Sequence, residues 1–210
     1  MTNPRHLLLV GTGPGLGAAI ARRFARERYR LTLVARSDAG DPDRLRAALS
    51  SLFAGPGALG VVIYNAALMT FDDLLTVSPE QLADADADAV DVTGAVLTAQ
   101  LAVPAMRAAG GGTLLFTGGG FADALPDSLA TLSLGKLALR GAGTMLAREV
   151  RDDAIHAGSL TILGQIAAGT PFDPDRIADA YWAIRNEVPD AWREEYRFDG
   201  RLTTPGALRG

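Results

Sequence analysis

Short apolar runs alternate with longer segments of helical periodicity along most of the chain. The apolar runs predict β-strands, because a strand covered on both faces reads as continuous hydrophobic residues. These strands are predicted at His6–Val10, Leu31–Ala35, Val61–Tyr64, Thr113–Thr117 and Leu160–Leu163, with a last short one at Glu195–Phe198. Helices are predicted from Leu16 to about Arg28, at Pro42–Phe53, as one or two helices from Pro79 to about Arg107, at Ser133–Val150 and at Pro174–Arg185. This alternation predicts an α/β fold, a doubly wound parallel sheet with helices on both faces.

Local signals mark the first two helices. The first helix has an apolar face with i, i+3, i+4 and i+8 spacing, and an arginine cluster from Arg22 to Arg30 that we interpret as a solvated face. Asp41 is predicted to cap the second helix, which begins at Pro42, because Pro is favoured at the first helical position.

Composition narrows the class of protein. The 210 residues, 48% of them hydrophobic, suffice for one domain, which we expect over residues 1–200, with a flexible tail over 201–210. A net charge of −4 argues against a nucleic-acid partner. Cysteine is absent, and His6 and His156 lie far apart, so neither a disulfide framework nor a zinc site is predicted. No apolar stretch has membrane-spanning length, and we expect a cytoplasmic protein without a membrane partner.

A glycine-rich loop, GTGPGLG, joins the first strand to the first helix. Gly11 permits a tight turn, Gly15 lets the backbone approach a pyrophosphate at the helix N-terminus, and Gly17 lets helix and strand pack closely. A plain strand–helix turn is the alternative, but the position between a strand and a helix favours a nucleotide site. The predicted nucleotide-binding residues of the loop are Gly11, Thr12, Gly13, Gly15, Leu16 and Gly17.

Two further motifs accompany the loop spacing Gly-x-x-x-Gly-x-Gly. Asn65-Ala66-Ala67 follows the third strand, and Lys136 lies in the helix after the fourth strand. In this order, and over nearly the whole chain, the motifs resemble those of the short-chain dehydrogenase/reductase family. The resemblance implies a single-domain Rossmann-like fold, a nicotinamide dinucleotide cofactor and oxidoreductase activity on a small molecule. It also implies cofactor contacts at Asn65, Ala66, Ala67, Lys136, Ile166 and Thr170.

The residue after the second strand selects between cofactors in the family. Members that prefer NAD have an acid there, whereas this chain has Arg36 directly after Ala35. A guanidinium group suits a 2′-phosphate, so NADP (NADPH) is predicted over NAD. Ser37 and Asp38 complete the predicted adenosine contacts, although the Asp38 carboxylate would also repel a phosphate. The alternative for Arg36 is an ordinary solvated residue at a strand end.

The connection from the second to the third strand is short for this family. About 25 residues separate Arg36 from Val61, enough for one crossover, which needs at least about 10–12 residues including its helix. The family normally fits two crossovers and an extra strand here. We therefore expect one edge strand–helix unit to be absent, with Leu31–Ala35 at the sheet edge.

The resemblance assigns four catalytic positions, and this chain fills one of them with the usual residue. Lys136 matches the lysine that holds the nicotinamide ribose. Leu132 stands at the position of the tyrosine that transfers the proton, Gly118–Gly119 at that of the polarising serine, and Asp91 at that of the asparagine of a water relay. Because leucine cannot donate a proton, ordinary carbonyl reduction should lose roughly 100- to 10,000-fold in rate.

Other polar side chains are candidates for the missing chemistry. The predicted catalytic set is Lys136, Asp91, Thr117 and Ser133, and Thr131 carries one more hydroxyl. Ser133 shares a helix face with Lys136, but a hydroxyl is a far weaker acid than a phenol. Asp91 could exchange protons if burial raised its pKa, and a capping or ion-pairing carboxylate is the alternative.

Two functions therefore stay open at this point. The first is an NADP-dependent oxidoreductase with an atypical site and an unknown substrate, for instance an activated C=C that takes its proton from water. The second is a catalytically inactive dinucleotide-binding, sensor or structural protein. Members of the family commonly pair through the helix after Asn65-Ala66-Ala67 and the helix that carries the lysine. The resemblance therefore implies a homodimer or homotetramer through the helices over Pro79–Arg107 and Ser133–Val150, whose small residues allow close approach, unless both helix faces are simply core. The Tyr181-Trp182 pair is interpreted as core rather than pocket.

Overall fold

The computed structural model describes residues 6–53, 59–79 and 89–203. The strands are β1 His6–Thr12, β2 Arg30–Ala35, β3 Leu59–Tyr64, β4 Gly112–Gly119, β5 Ile155–Ile162, β6 Glu195–Phe198 and β7 Leu202–Thr203. The helices are α1 Leu16–Arg26, α2 Arg36–Ala39, α3 Pro42–Phe53, α4 Gly94–Ala108, α5 Phe121–Ala124, α6 Ala130–Glu149 and α7 Pro174–Arg185. A π-helical turn, Ala89–Thr93, leads directly into α4.

The seven strands found in the described residues form one sheet in the order β2-β1-β3-β4-β5-β6-β7. The first six are parallel, and β7 runs antiparallel to β6. The predicted doubly wound parallel sheet is therefore confirmed. Because parallel strands end at the same side of a sheet, the loops after β1, β3, β4 and β5 meet there. We call this side the carboxyl edge.

Alternate residues of β1 enter two separate hydrophobic cores, as strand geometry requires. Leu8 and Val10 pack in the core covered by α3, α4 and α6. Leu7 and Leu9 pack in the core covered by α1 and α7. The glycine loop is thus fixed at its start by β1, a strand that is buried on both faces.

The predicted absence of a strand between β2 and β3 is confirmed over residues 36–53, which form α2 and α3. As a consequence β2 is the edge strand, paired only with β1 among the described strands. The expectation that β2 is buried on both faces is wrong: Leu33 is 50% exposed, and Val34 is the one fully buried residue of the strand.

Several element boundaries differ from those predicted. Strand β5 begins at Ile155, whereas the prediction began it at Leu160. The prediction was late because His156 and Ser159, which are buried, interrupt the apolar pattern of the strand. Helix α6 begins at Ala130 rather than Ser133. In the region predicted as helical from Pro79, α4 and its π turn are present, and residues 80–88 lie outside the described part of the chain.

Three further expectations can be compared with the structure. Asp41 caps α3 as predicted, since its Oδ1 accepts hydrogen bonds from the backbone N–H groups of Asp43 and Arg44 at 3.0 Å each. The interpretation of the arginine cluster as a solvated helix face is wrong for Arg23. Its Nε donates a hydrogen bond to Asp179 Oδ1 at 2.7 Å, and its guanidinium packs over the ring of Trp182. The predicted flexible tail contains strand β7, while residues 204–210 lie outside the described residues. No described helix is long and apolar enough to cross a membrane.

Candidate functional site

The glycine loop has the backbone geometry that its sequence predicts. Gly11 has φ +89°, and a Cβ there would lie 2.2 Å from the backbone nitrogen of Ala66. A Cβ on Gly17 would lie 2.9 Å from the carbonyl oxygen of Gly11, so helix α1 packs tightly against the end of β1. At Gly13 and Gly15, by contrast, a Cβ would meet no described atom within 4 Å. The loop is therefore closed toward the protein and open on its outer side.

The start of α1 is suited to an anion. Gly15 precedes Leu16 without a capping side chain, and the first turn of the helix holds no acidic residue. The N-terminal N–H groups and the helix dipole favour negative charge at this end. The loop thus presents open space and positive potential at one place.

A cavity of about 640 Å³ lies at the end of β2. It is lined by Arg36, Ser37, Gly40, Asp41, Pro42, Arg44, Leu68 and Val90. Arg36 is exposed and forms no ion pair with any residue in the described ranges. Asp38, which was predicted to contact adenosine, is not among the lining residues. Thr12 links this cavity to the glycine loop, because Thr12 pairs with Ala35 and its hydroxyl donates to the carbonyl of Val34 at 3.2 Å.

Asn65 fixes the glycine loop from the neighbouring strand. Its Nδ2 donates to the carbonyl oxygen of Gly11 at 2.9 Å, and its backbone N–H donates to the carbonyl of Val10 at 2.7 Å. The hydroxyl of Thr117 donates to Asn65 Oδ1 at 3.0 Å, which fixes the orientation of the amide. Asn65 therefore holds the glycine loop by hydrogen bonds, and the backbone of Ala66 packs closely against Gly11. Both residues lie at the carboxyl edge.

Lys136 and Asp91 form a buried ion pair below the carboxyl edge. Lys136 Nζ lies 3.0 Å from Asp91 Oδ1 and 3.4 Å from the carbonyl oxygen of Thr117. Their side chains are 5% and 0% exposed. Gly135 makes room for the carboxylate, because a Cβ there would lie 3.0 Å from Asp91 Oδ2. Of the two interpretations of Asp91, the structure supports the ion-pairing carboxylate.

The other residues considered near Lys136 are buried or already hydrogen-bonded. Leu132, at the tyrosine position, is buried. The Thr131 hydroxyl donates to the carboxylate of Asp72, so it is not available for chemistry in this arrangement. The Ser133 hydroxyl is also buried, and it has no hydrogen-bond partner among the residues that the structure describes.

Space distinguishes the two glycines at the serine position. A Cβ on Gly118 would lie 2.9 Å from Oγ1 and 3.2 Å from Cα of Thr161. A Cβ on Gly119 would make ordinary contacts, 3.5 Å from the Phe121 ring and 3.9 Å from Lys136 Cγ. A side chain at Gly119 would therefore lie near Lys136, whereas a side chain at Gly118 would crowd Thr161.

Two residues of the segment after β5 were also predicted to contact a cofactor. Ile166 is 39% exposed there. The Thr170 hydroxyl instead donates to the carbonyl of Ala167 at 2.7 Å and accepts from the backbone N–H of Phe172 at 3.1 Å. Thr170 thus stabilises its own loop, which begins at the carboxyl edge.

Sequence reasoning missed two residues that shape the site. Tyr181 was correctly interpreted as core, but its hydroxyl lies 2.6 Å from that of Thr117, and burial raises the pKa of the Tyr181 phenol. A buried tyrosine needs such a partner, and that requirement was the available signal. Asp72 accepts the backbone N–H of Thr131 at 3.0 Å and so caps α6 from a distant loop, for which the sequence carries no local signal.

Solved structures with the same fold are short-chain dehydrogenases/reductases. L-sorbose reductase from Gluconobacter frateurii, complexed with NADPH and L-sorbose, is 19% identical with a TM-score of 0.81, over 95% of this chain and 96% of that chain. The 3-ketoacyl-(acyl-carrier-protein) reductase from Brucella melitensis, complexed with NADH, is 18% identical with a TM-score of 0.79, over 92% and 95%. A short-chain dehydrogenase from Rhodopseudomonas palustris is 22% identical with a TM-score of 0.78, over 92% and 97%.

These similarities define the class of fold: the chain has the fold of the short-chain dehydrogenases/reductases. No protein-family model matches the sequence, and no curated protein matches it.

Proposed function

We propose that this chain is a member of the short-chain dehydrogenase/reductase family that binds NADP(H) and acts as an oxidoreductase with an atypical active site. The observation that carries the proposal is the glycine loop. Gly11 and Gly17 are required by close backbone packing, whereas Gly13 and Gly15 face open space at the start of α1. A loop that served only as a turn would need the first pair but not the second.

The residues present fit a dinucleotide phosphate. The glycine loop would hold the pyrophosphate, because open space and the N-terminus of α1 coincide there. Arg36, exposed in the cavity at the end of β2, would hold a 2′-phosphate, and this supports NADP over NAD. Lys136 would contribute a hydrogen bond to the nicotinamide ribose, as the family resemblance implies. When bound, the cofactor supplies or accepts a hydride, and the protein's task is to orient it.

Proton transfer is the step for which this chain departs from its family. Leu132 has no exchangeable proton, and Gly119 offers no hydroxyl toward Lys136. The protein can therefore polarise a carbonyl only weakly. A substrate with an activated C=C suits such a site better, because its carbon can take the proton from water once the hydride has been transferred.

A second candidate function is supported by the ion pair of Lys136 and Asp91. The carboxylate compensates the charge of the lysine inside the protein, at 3.0 Å and with both groups buried. A lysine whose charge is compensated in this way would serve to hold a bound nucleotide, a role that needs no turnover. The second candidate is thus a dinucleotide-binding protein that does not catalyse a reaction.

A turnover screen distinguishes the two candidates. The unmodified protein is incubated with NADPH and a panel of ketones, aldehydes and enoyl compounds, and the loss of NADPH absorbance is followed. We expect turnover of at least one enoyl compound, and Lys136→Ala should weaken NADPH binding and reduce that turnover. Binding of NADPH without oxidation across the panel would instead favour the second candidate.

A further inference from the structure

The shortened connection after β2 brings a second arginine to the cavity at the end of that strand. Helix α3 follows α2 after only Gly40 and Asp41, so the first turn of α3 forms part of the cavity wall. Arg44, in that turn, lines the cavity together with Arg36.

Asp41 holds Arg44 in this position. One oxygen of Asp41 accepts the backbone N–H groups at the start of α3, while Oδ2 lies 3.3 Å from Nε of Arg44. The Arg44 side chain is 69% exposed, so its guanidinium remains accessible from the cavity. Asp41 thus has two roles, as a helix cap and as a competing anion for Arg44.

The cavity adjoins the glycine loop. Thr12 and Ala35 are direct neighbours across β1 and β2, about 4.8 Å apart as strands are, and Arg36 follows Ala35. Leu68 and Val90 supply apolar surface to the same cavity. Apolar surface beside two guanidinium groups suits a purine that carries a phosphate monoester, because the base needs apolar contact and the dianion needs paired donors.

We propose that Arg44 is a second specificity-determining residue, which clamps the adenosine 2′-phosphate together with Arg36, and that Asp41 weakens this clamp by competing for Arg44. The inference rests on the proposed function, since it assigns a ligand group to the same nucleotide site. It goes beyond that function in two respects. The selectivity for NADP(H) comes from Arg44 of α3 as well as from Arg36 at the end of β2. The carboxylate of Asp41 limits this selectivity.

The same helix offers a matched control. Arg46 pairs with Asp43 at 3.3 Å, three residues before it, as Arg44 pairs with Asp41, and its side chain is 53% exposed. Arg46 does not line the cavity. Arg44→Ala and Arg46→Ala therefore remove the same kind of surface ion pair from one helix, and only the first removes a cavity residue.

Calorimetric titration of the full chain with NADPH, NADH and adenosine 2′,5′-bisphosphate tests the inference. Arg44→Ala should weaken binding of NADPH and of the bisphosphate by about tenfold, and binding of NADH by less than about twofold. Arg46→Ala should change none of the three affinities. Asp41→Asn keeps a good helix cap but removes the competing charge, so it should tighten NADPH binding by roughly threefold without affecting NADH.

Equal effects of Arg44→Ala and Arg46→Ala on NADPH, or equal effects of Arg44→Ala on NADPH and NADH, would overturn the inference while the proposed function stands. If the unmodified chain binds neither dinucleotide, the proposed function fails and this inference fails with it. Thermal melting of each variant shows whether it is folded. An unfolded Arg44→Ala would be replaced by Arg44→Gln, with Arg46→Gln as its control and the same expected pattern.

Discussion

Replacing Asp91 with Asn removes the carboxylate that faces Lys136 and leaves a neutral amide of nearly the same shape. In the native protein the two charged atoms lie 3.0 Å apart, and the side chains are 0% and 5% exposed. The change therefore leaves an ammonium group enclosed in the protein without its counter-charge. Removing one partner of a buried pair typically costs about 3–5 kcal/mol of the free energy of unfolding.

We expect a value near the lower limit, about 3 kcal/mol, because two acceptors remain for the lysine. Lys136 Nζ still lies 3.4 Å from the carbonyl oxygen of Thr117, and the amide oxygen of the new Asn can accept as well. For a protein of this size, a loss of about 3 kcal/mol lowers the melting temperature by roughly 6–12 °C.

Urea unfolding of a double-mutant cycle measures this directly. The cycle contains Asp91→Asn, Lys136→Met and the double variant, all compared with the unmodified protein. Since the double variant buries no lone charge, it should cost less than the sum of the single variants by about 1–3 kcal/mol. If the losses in free energy of unfolding of the two single variants add up to that of the double variant within about 0.5 kcal/mol, the buried pair is refuted. Asp153→Asn is the control, because Asp153 pairs with Arg107 at 2.7 Å on the surface and should leave the midpoint unchanged.

Three other predictions address stability, chemistry and assembly. Burial lowers the pKa of His156 from 6.5 to about 4. Between pH 4 and pH 6.5 the unfolded chain therefore binds more protons than the folded protein. The free energy of unfolding should fall by on the order of 3 kcal/mol as the pH drops from 6.5 to 4. His156→Gln should flatten this profile in urea titrations, and an unchanged profile would contradict it. Leu132→Tyr alone should restore little NADPH-dependent ketone reduction. Leu132→Tyr together with Gly119→Ser should restore a detectable rate, because such catalytic groups act as a unit. Gly118→Ser should instead lower the free energy of unfolding by about 1–3 kcal/mol through overpacking. Helices α4 and α6 should pair two chains, so sedimentation at micromolar concentration should show a dimer or larger that Met145→Glu, at an exposed apolar position of α6, dissociates; a monomer before substitution would contradict this.

Elements with local signals could be predicted from the sequence to the residue. Helix α3 begins at Pro42 after the cap Asp41, and α7 begins at Pro174 after Asp173, whose side chain accepts the backbone N–H of Asp175 at 2.9 Å. Both helices were predicted with their observed bounds. The glycine loop was equally predictable, because the tight turn and the close helix packing each require glycine at a fixed position.

Features that depend on residues far apart in the chain could not be predicted. The cap of α6 comes from Asp72, 59 residues from Thr131, and the Thr117 hydroxyl meets Tyr181 across 64 residues. Asp91 was a candidate for proton exchange or ion pairing, and its contact with Lys136, 45 residues away, could not be read from the sequence. The start of β5 was missed because buried polar residues there look like the end of a strand.

Calorimetric titration of the unmodified protein with NADPH and with NADH tests the central claim most directly, namely that the glycine loop and Arg36 bind an NADP-type dinucleotide. We predict saturable binding of both, tighter for NADPH by about 1–3 kcal/mol, the contribution of a charged hydrogen bond. Arg36→Ala should remove most of that difference and leave NADH binding nearly unchanged. Equal affinities for the two dinucleotides would contradict the assignment of Arg36, and the absence of binding to either would contradict the nucleotide site itself.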